Sequence, residues 1–221
     1  MVKMIVIKIG SSLLSRDNRL DNEMLKNITR QACILRNRGI DIILVSSGAV
    51  SSGMATLGLN ARPNKIANLQ ACASLGQGML MKSYIAAFAE KNLRCAQLLL
   101  TSEDFSDRKR YLNVRHTIFS LFKYNALPVV NENDTVSTEE IKFGDNDNLS
   151  ALVAILVRAD LLIILSDVAG LLDDKKRLVS QVAKITRQIR KFACPTKNGI
   201  CRGGMISKIS AAEKVTAAAI P

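Results

Sequence analysis

Short apolar runs alternate along this chain with longer segments of helical periodicity. The apolar runs at 4–9, 41–46, 94–99, 127–131 and 161–166 predict five strands. Helical patterns lie between them, at about 22–38, 66–90, 108–124 and 148–159. This order is typical of βαβ units, so we predict an α/β fold in which a mainly parallel central sheet is covered on both faces, a three-layer αβα sandwich.

Four of the predicted strands end in, or are directly followed by, small and polar residues, at 10–12, 46–48, 131–134 and 166–167. Ligands of open parallel sheets bind in the crevice beyond the carboxyl ends of the strands. We therefore expect these four loops to form one site.

The length of 221 residues predicts a single domain over 1–221. The polar stretch at 172–197 is expected to be a peripheral excursion of this domain. At 217–221 a helical pattern gives way to what resembles the start of a strand, which predicts that C-terminal strand structure is missing from the sequence.

The formal net charge of +12 is compatible with nucleic acid, an anionic membrane surface or small anionic ligands. The basic residues are dispersed, and their short runs at 108–110 and 175–177 are typical of solvated faces. Because no basic stripe with interleaved aromatic residues accompanies them, nucleic acid is not the expected partner.

The five cysteines are widely spaced and form no Cys-x-x-Cys pair, which indicates a reducing compartment and neither a disulfide framework nor a zinc site. No apolar stretch reaches the ~18 residues of a membrane span. The sequence thus favours a cytoplasmic enzyme without a membrane segment.

Lys8 lies near the end of the first predicted strand, and a Gly-Ser-Ser turn follows it. Such a lysine can neutralise phosphate oxygens beside free backbone N–H groups, or it can extend to solvent from a sheet edge. Ser47 similarly either caps the next helix or faces an anionic ligand. The residues by themselves leave both pairs of alternatives open.

Two clusters of Asn and Asp, at 131–134 and 145–148, exceed what turns require. A free amino acid needs a carboxylate for its ammonium group and amides or N–H groups for its carboxylates, and these clusters supply both. A calcium-binding EF-hand loop is excluded, because counting from Asp145 gives neither Gly at the sixth position nor Glu at the twelfth.

The segment 201–208 places two glycines before a helix that carries Lys208 in its first turn. Glycines let backbone N–H groups approach phosphates, and the lysine adds charge. The spacing differs from that of a P-loop.

Together these motifs closely resemble those of the glutamate 5-kinases within the amino acid kinase family. The pairing of 131–134 with 144–151 is specific to that branch, whereas Lys8 and the Gly203-Gly204-Met205 run mark the wider family. The resemblance implies the amino acid kinase fold and ATP-dependent phosphorylation of the γ-carboxylate of L-glutamate to L-glutamyl 5-phosphate, the first step of proline biosynthesis. It also implies Mg²⁺, a homo-oligomer and proline as feedback inhibitor. Many bacterial members carry a PUA domain, and we expect none here.

The resemblance also implies roles for individual residues. Lys8 and Lys208 would stabilise the transferring phosphoryl group, with Asp147 as their organiser. Glutamate would be bound by Ser47, Asp134 and Asn146. The residues expected to bind ATP are Lys8, Ser166, Asp167, Arg202, Gly203, Gly204, Met205, Ile206, Ser207 and Lys208.

Two departures from the family pattern bear on nucleotide affinity and base selectivity. Arg202 stands where the family has a small residue in Gly-Thr-Gly-Gly-Met, and 172–175 replaces a Tyr-Thr-Ala-Asp-Pro-like stretch. The reaction needs no general base, since a glutamate side chain with a pKa near ~4.3 is already ionised; His116 is thus expected to be structural. Alternatives are a related kinase for aspartate, N-acetylglutamate or a nucleoside monophosphate, and a catalytically silent regulatory or nucleic-acid-binding protein.

Overall fold

The computed structural model describes residues 2–16, 19–137, 146–193 and 204–221. Its main sheet has five strands in the order β5-β6-β4-β1-β7, and all neighbouring strands are parallel. The strands are β1 (Met4–Ile9), β4 (Asp41–Ser46), β5 (Arg94–Leu100), β6 (Ala126–Glu132) and β7 (Leu161–Leu165), while β2 (Ser15–Arg16) and β3 (Arg19–Leu20) form a small antiparallel hairpin.

The described helices connect these strands. They are α1 (Ser11–Leu14), α2 (Asn22–Asn37), α3 (Ala49–Thr56), α4 (Ile66–Ala89), α5 (Glu103–Ser106), α6 (Arg108–Lys123), α7 (Asn146–Val157), α8 (Arg187–Ala193) and α9 (Met205–Ala217). Within the described ranges, no helix has the length and apolar character that crossing a bilayer requires.

The sheet is covered by helices on both faces, because side chains alternate along each strand. Ile5, Ile7 and Ile9 pack in one cluster with α2 and α4. Val6 packs in a second cluster with residues of α6, α7 and α9. The predicted three-layer αβα sandwich with a parallel sheet is therefore confirmed.

The strand predictions agree with the structure to within a residue or two, whereas several short helices were not predicted. α1 and α5 have four residues each, about one turn, which is too short for a helical repeat to show in the sequence. α8 lies inside the stretch predicted as a peripheral excursion, and it packs on α9 around a small apolar cluster of Leu171, Ala193 and Ile209.

Helices α3 and α4 cross so closely that backbone meets backbone. A Cβ atom added to Gly53 would lie 1.8 Å from the carbonyl oxygen of Cys72, and one on Gly76 would lie 1.9 Å from the carbonyl oxygen of Ala49. Backbone atoms cannot rotate away from such a contact, so both positions require glycine. The two glycines thereby fix the register of α4 against α3.

We predict that Gly76→Ala destabilises the protein by about 3 kcal/mol, because the added methyl group forces the two helices apart. Gly78→Ala is the matched control on the same helix, since nothing lies within 4 Å of a Cβ at that position. It should stabilise the protein by about 1 kcal/mol through helix propensity. Urea unfolding measures both changes; equal midpoints for the two variants would contradict the close crossing.

Candidate active site

Three neighbouring strands end level with one another at the carboxyl edge of the sheet. In the parallel register, Ile9 of β1 pairs with Ser46 of β4 on one side and with Leu165 of β7 on the other. The loops that follow these strands therefore begin side by side, as the sequence pattern predicted. The chemical character of each loop then depends on the side chains at the end of its strand.

Lys8 is buried near the carboxyl end of β1, with only 5% of its surface exposed. It lies in phase with Val6, and its side chain is therefore directed to the face covered by α7 and α9. Its Nζ atom lies 2.7 Å from Oδ1 of Asp147 in the first turn of α7. Because β1 is an interior strand, Lys8 does not extend to solvent from a sheet edge, which was the alternative explanation for it.

Asp147 joins strand β1 to helix α9. Its Oδ2 atom accepts a hydrogen bond from the Ser207 hydroxyl at 2.6 Å and lies 3.2 Å from Nζ of Lys208, both in α9. One carboxylate thus holds an ammonium group from β1 and another from α9. This arrangement places two positive charges at the same edge of the sheet.

Burial by itself would raise the pKa of Asp147, but the charge of Lys8 and the hydrogen bonds from Lys8 and Ser207, together with the charge of Lys208, lower that pKa below its ordinary value. The carboxyl group is therefore ionised at neutral pH and remains so to more acidic pH than an exposed aspartate.

A cavity of about 360 Å³ opens beside this ion-pair cluster. Its walls come from the β1–α1 turn, the end of β7, the start of α9 and the loop between α3 and α4. The lining residues are Lys8, Gly10, Ser11, Ser12, Arg62, Asp147, Leu165, Ser166, Asp167, Gly204, Ser207 and Lys208. Lysines, hydroxyl groups and small residues are what a phosphate-binding site requires.

Two glycines line this cavity. A Cβ at Gly10 would lie 3.4 Å from the carbonyl oxygen of Leu165 and 3.8 Å from Nζ of Lys8, so glycine preserves the space beside the lysine. Gly204, immediately before α9, has a φ of 67°, which favours glycine. Both turns can therefore bring backbone close to a ligand.

A second polar cluster lies next to the cavity, around the amide of Asn146. Its Nδ2 atom lies 2.9 Å from Oγ of Ser47, 2.9 Å from Oδ1 of Asn131 and 3.2 Å from the backbone oxygen of Ser46. Since Asn146 and Asp147 are consecutive, the start of α7 serves both clusters. The amide cluster and the lysine cavity are therefore adjacent.

Ser47 does not cap α3, as one of its two interpretations supposed. The N-cap of α3 is Gly48, which has a φ of 113°, and no side chain makes a capping hydrogen bond there. The Ser47 hydroxyl instead contacts Asn146.

The structure brings most of the predicted site residues together. Lys8, Asp147, Ser166, Asp167, Gly204, Ser207 and Lys208 line one cavity, and Ser47 contacts Asn146 beside it. Asp134 is half-buried in the turn after β6 and does not belong to the described lining of the cavity. Met205 and Ile206 pack against the apolar cluster around Leu171. Arg202, Gly203 and the motif residues 144, 145 and 201 lie outside the described residues.

Sequence reasoning missed three polar residues at these clusters. Arg62 lines the cavity from a loop that carries no motif. Gln77 contacts Asn131, and Tyr84 contacts Ser46, both from α4. Gln77 and Tyr84 are seven residues apart, about two helical turns, and this spacing is the signal that places them on one face of α4. Among the described residues, no group of three His, Cys, Asp or Glu side chains could hold a metal ion.

We predict that Asp147→Asn destabilises the protein by about 3 kcal/mol at pH 7, because it leaves two lysines without their counter-charge. In the unfolded chain, the Asp147 carboxyl protonates near its ordinary pKa of ~3.9, whereas in the folded protein it stays ionised to lower pH. Its stabilisation is therefore complete at neutral pH and is lost as the pH falls from about 4 through the lowered pKa.

Urea unfolding of the wild type and Asp147→Asn from neutral to acidic pH measures this difference. Asp174→Asn, at an exposed position outside the cavity, controls for the change in net charge and should shift stability by less than about 0.5 kcal/mol. Equal stability of Asp147→Asn and the wild type at pH 7 would refute the bridging role.

Comparison with known proteins shows the family of this chain. The model of the amino acid kinase family matches residues 3–221. A protein named glutamate 5-kinase from Caldanaerobacter subterraneus subsp. tengcongensis is 47% identical over 219 residues, which cover 95% of this chain and 58% of that protein. A glutamate 5-kinase from Carboxydothermus hydrogenoformans is 44% identical over 228 residues, covering 100% of this chain and 61% of the relative.

A third relative, a glutamate 5-kinase from Burkholderia thailandensis, is 45% identical over 219 residues that cover 96% of this chain and 59% of the relative. The chain thus spans about three fifths of the length of the curated relatives it matches. The family model matches nearly every residue, and the parallel sheet has the predicted layers. The chain belongs to the amino acid kinase family.

Proposed function

We propose that the protein transfers the γ-phosphoryl group of ATP to the γ-carboxylate of L-glutamate and forms L-glutamyl 5-phosphate. The observation that carries this proposal is the carboxylate of Asp147, which holds Lys8 and Lys208 at one cavity while its neighbour Asn146 belongs to an adjacent amide cluster. The relatives named glutamate 5-kinase support glutamate as the acceptor.

The charge of the cavity suits phosphoryl transfer. Two ammonium groups and one carboxylate leave the Lys8, Lys208 and Asp147 cluster with an excess of one positive charge. Phosphoryl transfer depends chiefly on positioning and on stabilising charge at the transferring group. We assign both lysines to this stabilisation and Asp147 to holding their ammonium groups in place.

The acceptor requires no catalytic base. An oxygen of the ionised γ-carboxylate forms a bond to the γ-phosphorus, and the bond from that phosphorus to the bridging oxygen of ADP breaks. No proton is transferred, because a glutamate side chain with a pKa near ~4.3 is ionised at neutral pH. The protein therefore needs donors and cations at the reacting groups, and the cavity and the amide cluster supply them.

We assign the polar groups beside the cavity to the amino acid. The amide of Asn146 and the hydroxyl of Ser47 are donors suited to a carboxylate, and the carboxylate of Asp134 is suited to an ammonium group. Asp134 follows Asn131 by three residues in the turn after β6, and Asn131 contacts Asn146. This proximity supports the assignment of Asp134 to the same ligand.

The nucleotide is assigned to the cavity. Its phosphates would lie against Gly10–Ser12 and the start of α9, near Ser166, Asp167 and 202–208. Mg²⁺, when bound, would neutralise negative charge on the phosphates; protein sites for nucleotide magnesium commonly supply only one or two carboxylates. Asp167 is a carboxylate of the cavity lining available for this purpose.

The family resemblance also supports a physiological context that we propose with the activity. The product would enter proline biosynthesis in the cytoplasm, proline would act as feedback inhibitor, and the protein would form a homo-oligomer. Nucleic acid and membranes are not proposed as partners.

A hydroxamate assay tests the reaction directly. Purified protein with ATP, Mg²⁺, glutamate and hydroxylamine should form glutamyl hydroxamate, because hydroxylamine traps an acyl phosphate. Aspartate and N-acetylglutamate serve as competing acceptors, and N-acetylation should abolish activity if Asp134 pairs with a free ammonium group. Hydroxamate from either competitor but not from glutamate would overturn the proposed substrate.

We predict that Lys8→Ala and Lys208→Ala each lower kcat by about two orders of magnitude, because each removes a charge contact made mainly in the transition state. Lys214→Ala is the matched control on α9, because Lys214 contacts Asn148 and does not line the described cavity. Its kcat should stay near that of the wild type. An unchanged kcat in either lysine variant would remove that residue from the mechanism.

A further inference from the structure

Helix α4 presents two polar side chains to the carboxyl ends of strands β4 and β6. Gln77 and Tyr84 are seven residues apart, about two turns of helix, so they lie on one face. Ser46 and Asn131 are the strand residues that they contact. Ser46 is in phase with Ile42 and Leu44, and Asn131 is in phase with Leu127 and Val129, all of which pack in the cluster under α4.

The hydroxyl of Tyr84 is hydrogen-bonded to the hydroxyl of Ser46 at 2.9 Å, and both residues are fully buried. The Ser46 hydroxyl donates its own proton to the backbone oxygen of Ser47 at 3.0 Å. It therefore accepts the proton of Tyr84. Burial raises the pKa of Tyr84 far enough that the phenol stays protonated and keeps this role as donor.

Gln77 controls the orientation of a second amide. Its Oε1 atom accepts a hydrogen bond from Nδ2 of Asn131 at 2.8 Å. This contact directs Oδ1 of Asn131 towards Nδ2 of Asn146 and the backbone N–H of Glu132, each at 2.9 Å. A reversed Asn131 amide would lose all three hydrogen bonds. Gln77, together with the backbone N–H of Glu132, therefore holds Asn131 in the orientation in which Oδ1 of Asn131 faces the amide cluster.

The position of α4 itself is fixed next to these contacts. Gly76, the residue before Gln77, lies against the carbonyl oxygen of Ala49 so closely that an added Cβ would be 1.9 Å from it. Ala49 begins α3, directly after Ser47 and Gly48. The loop that carries Ser47 and the helix that carries Gln77 and Tyr84 are thus held together by backbone contact as well as by hydrogen bonds.

We propose that Gln77 and Tyr84 are positioning residues for the acceptor substrate, and that they set the geometry of Ser47, Asn131 and Asn146 from the face of the sheet that α4 covers. The inference rests on the proposed function, because it assigns this amide cluster to an amino acid carboxylate. Neither Gln77 nor Tyr84 belongs to the described lining of the lysine cavity. Their effect should therefore fall on the acceptor and leave the nucleotide nearly unaffected.

Variants that keep side-chain volume and remove one hydrogen bond test this role. Tyr84→Phe and Gln77→Leu should each raise the KM for glutamate by about threefold to tenfold, which is the change in an equilibrium constant that one neutral hydrogen bond supplies. The KM for ATP should stay within about twofold, since loss of this contact leaves the nucleotide cavity intact. Gln77→Glu retains an acceptor for Asn131 and should restore most of the affinity for glutamate.

Phe88→Leu is the control for a purely structural effect. Phe88 is fully buried one turn beyond Tyr84 and stacks on its ring at a centroid distance of 6.3 Å. This variant should lower the melting temperature and leave the KM for glutamate unchanged.

The outcomes separate this inference from the proposed function. A wild-type protein that forms glutamyl hydroxamate, with Tyr84→Phe and Gln77→Leu at the wild-type KM for glutamate, would overturn the positioning role alone. An equal rise in both KM values would overturn it as well, since the effect would then be a general distortion. A wild-type protein that forms no hydroxamate from glutamate would overturn the proposed function and this role with it.

Discussion

The site depends on one electrostatic constraint, which is that two lysine ammonium groups share a single carboxylate. Lys8 comes from the first strand and Lys208 from the last described helix, and each lies within 3.2 Å of an oxygen of Asp147. Burying the ammonium group of Lys8 without a counter-charge would cost a large amount of free energy. Asp147 supplies the counter-charge for both groups and holds them close together at the edge of the sheet where the cavity forms.

The alternation of side chains along parallel strands separates the site into two parts. Lys8 is directed to the face under α7 and α9, where it meets Asp147, whereas Ser46 and Asn131 are directed to the face under α4. The start of α7 lies at the edge between these faces, and its consecutive residues Asn146 and Asp147 reach one cluster each. In the proposed reaction, the nucleotide would lie against the lysine cluster and the amino acid against the amide cluster. Helix α7 contributes one residue to each.

The sequence was sufficient to predict the elements and residues that depend on local pattern. The buried strands read as apolar runs, and the rule for parallel sheets predicts that the polar loops after them lie at one edge. Asn146 and Asp147 follow no predicted strand, and their roles beside Lys8 were implied by the family resemblance. The close crossing of α3 and α4 could not be predicted, because the requirement for glycine at Gly53 and Gly76 comes from a contact between two helices, which no local sequence pattern shows. Arg62 and Gln77 were missed for the same reason, and the roles of Asp134 and 202–208 stay predictions.

A structure of the protein with a non-hydrolysable ATP analogue, Mg²⁺ and glutamate tests the central claim most directly. The account predicts that the terminal phosphate lies within hydrogen-bonding distance, about 3 Å, of Nζ of both Lys8 and Lys208, with the γ-carboxylate of glutamate on the side of Asn146. A terminal phosphate bound away from these two lysines, with Asp147 contacting neither of them, would contradict it.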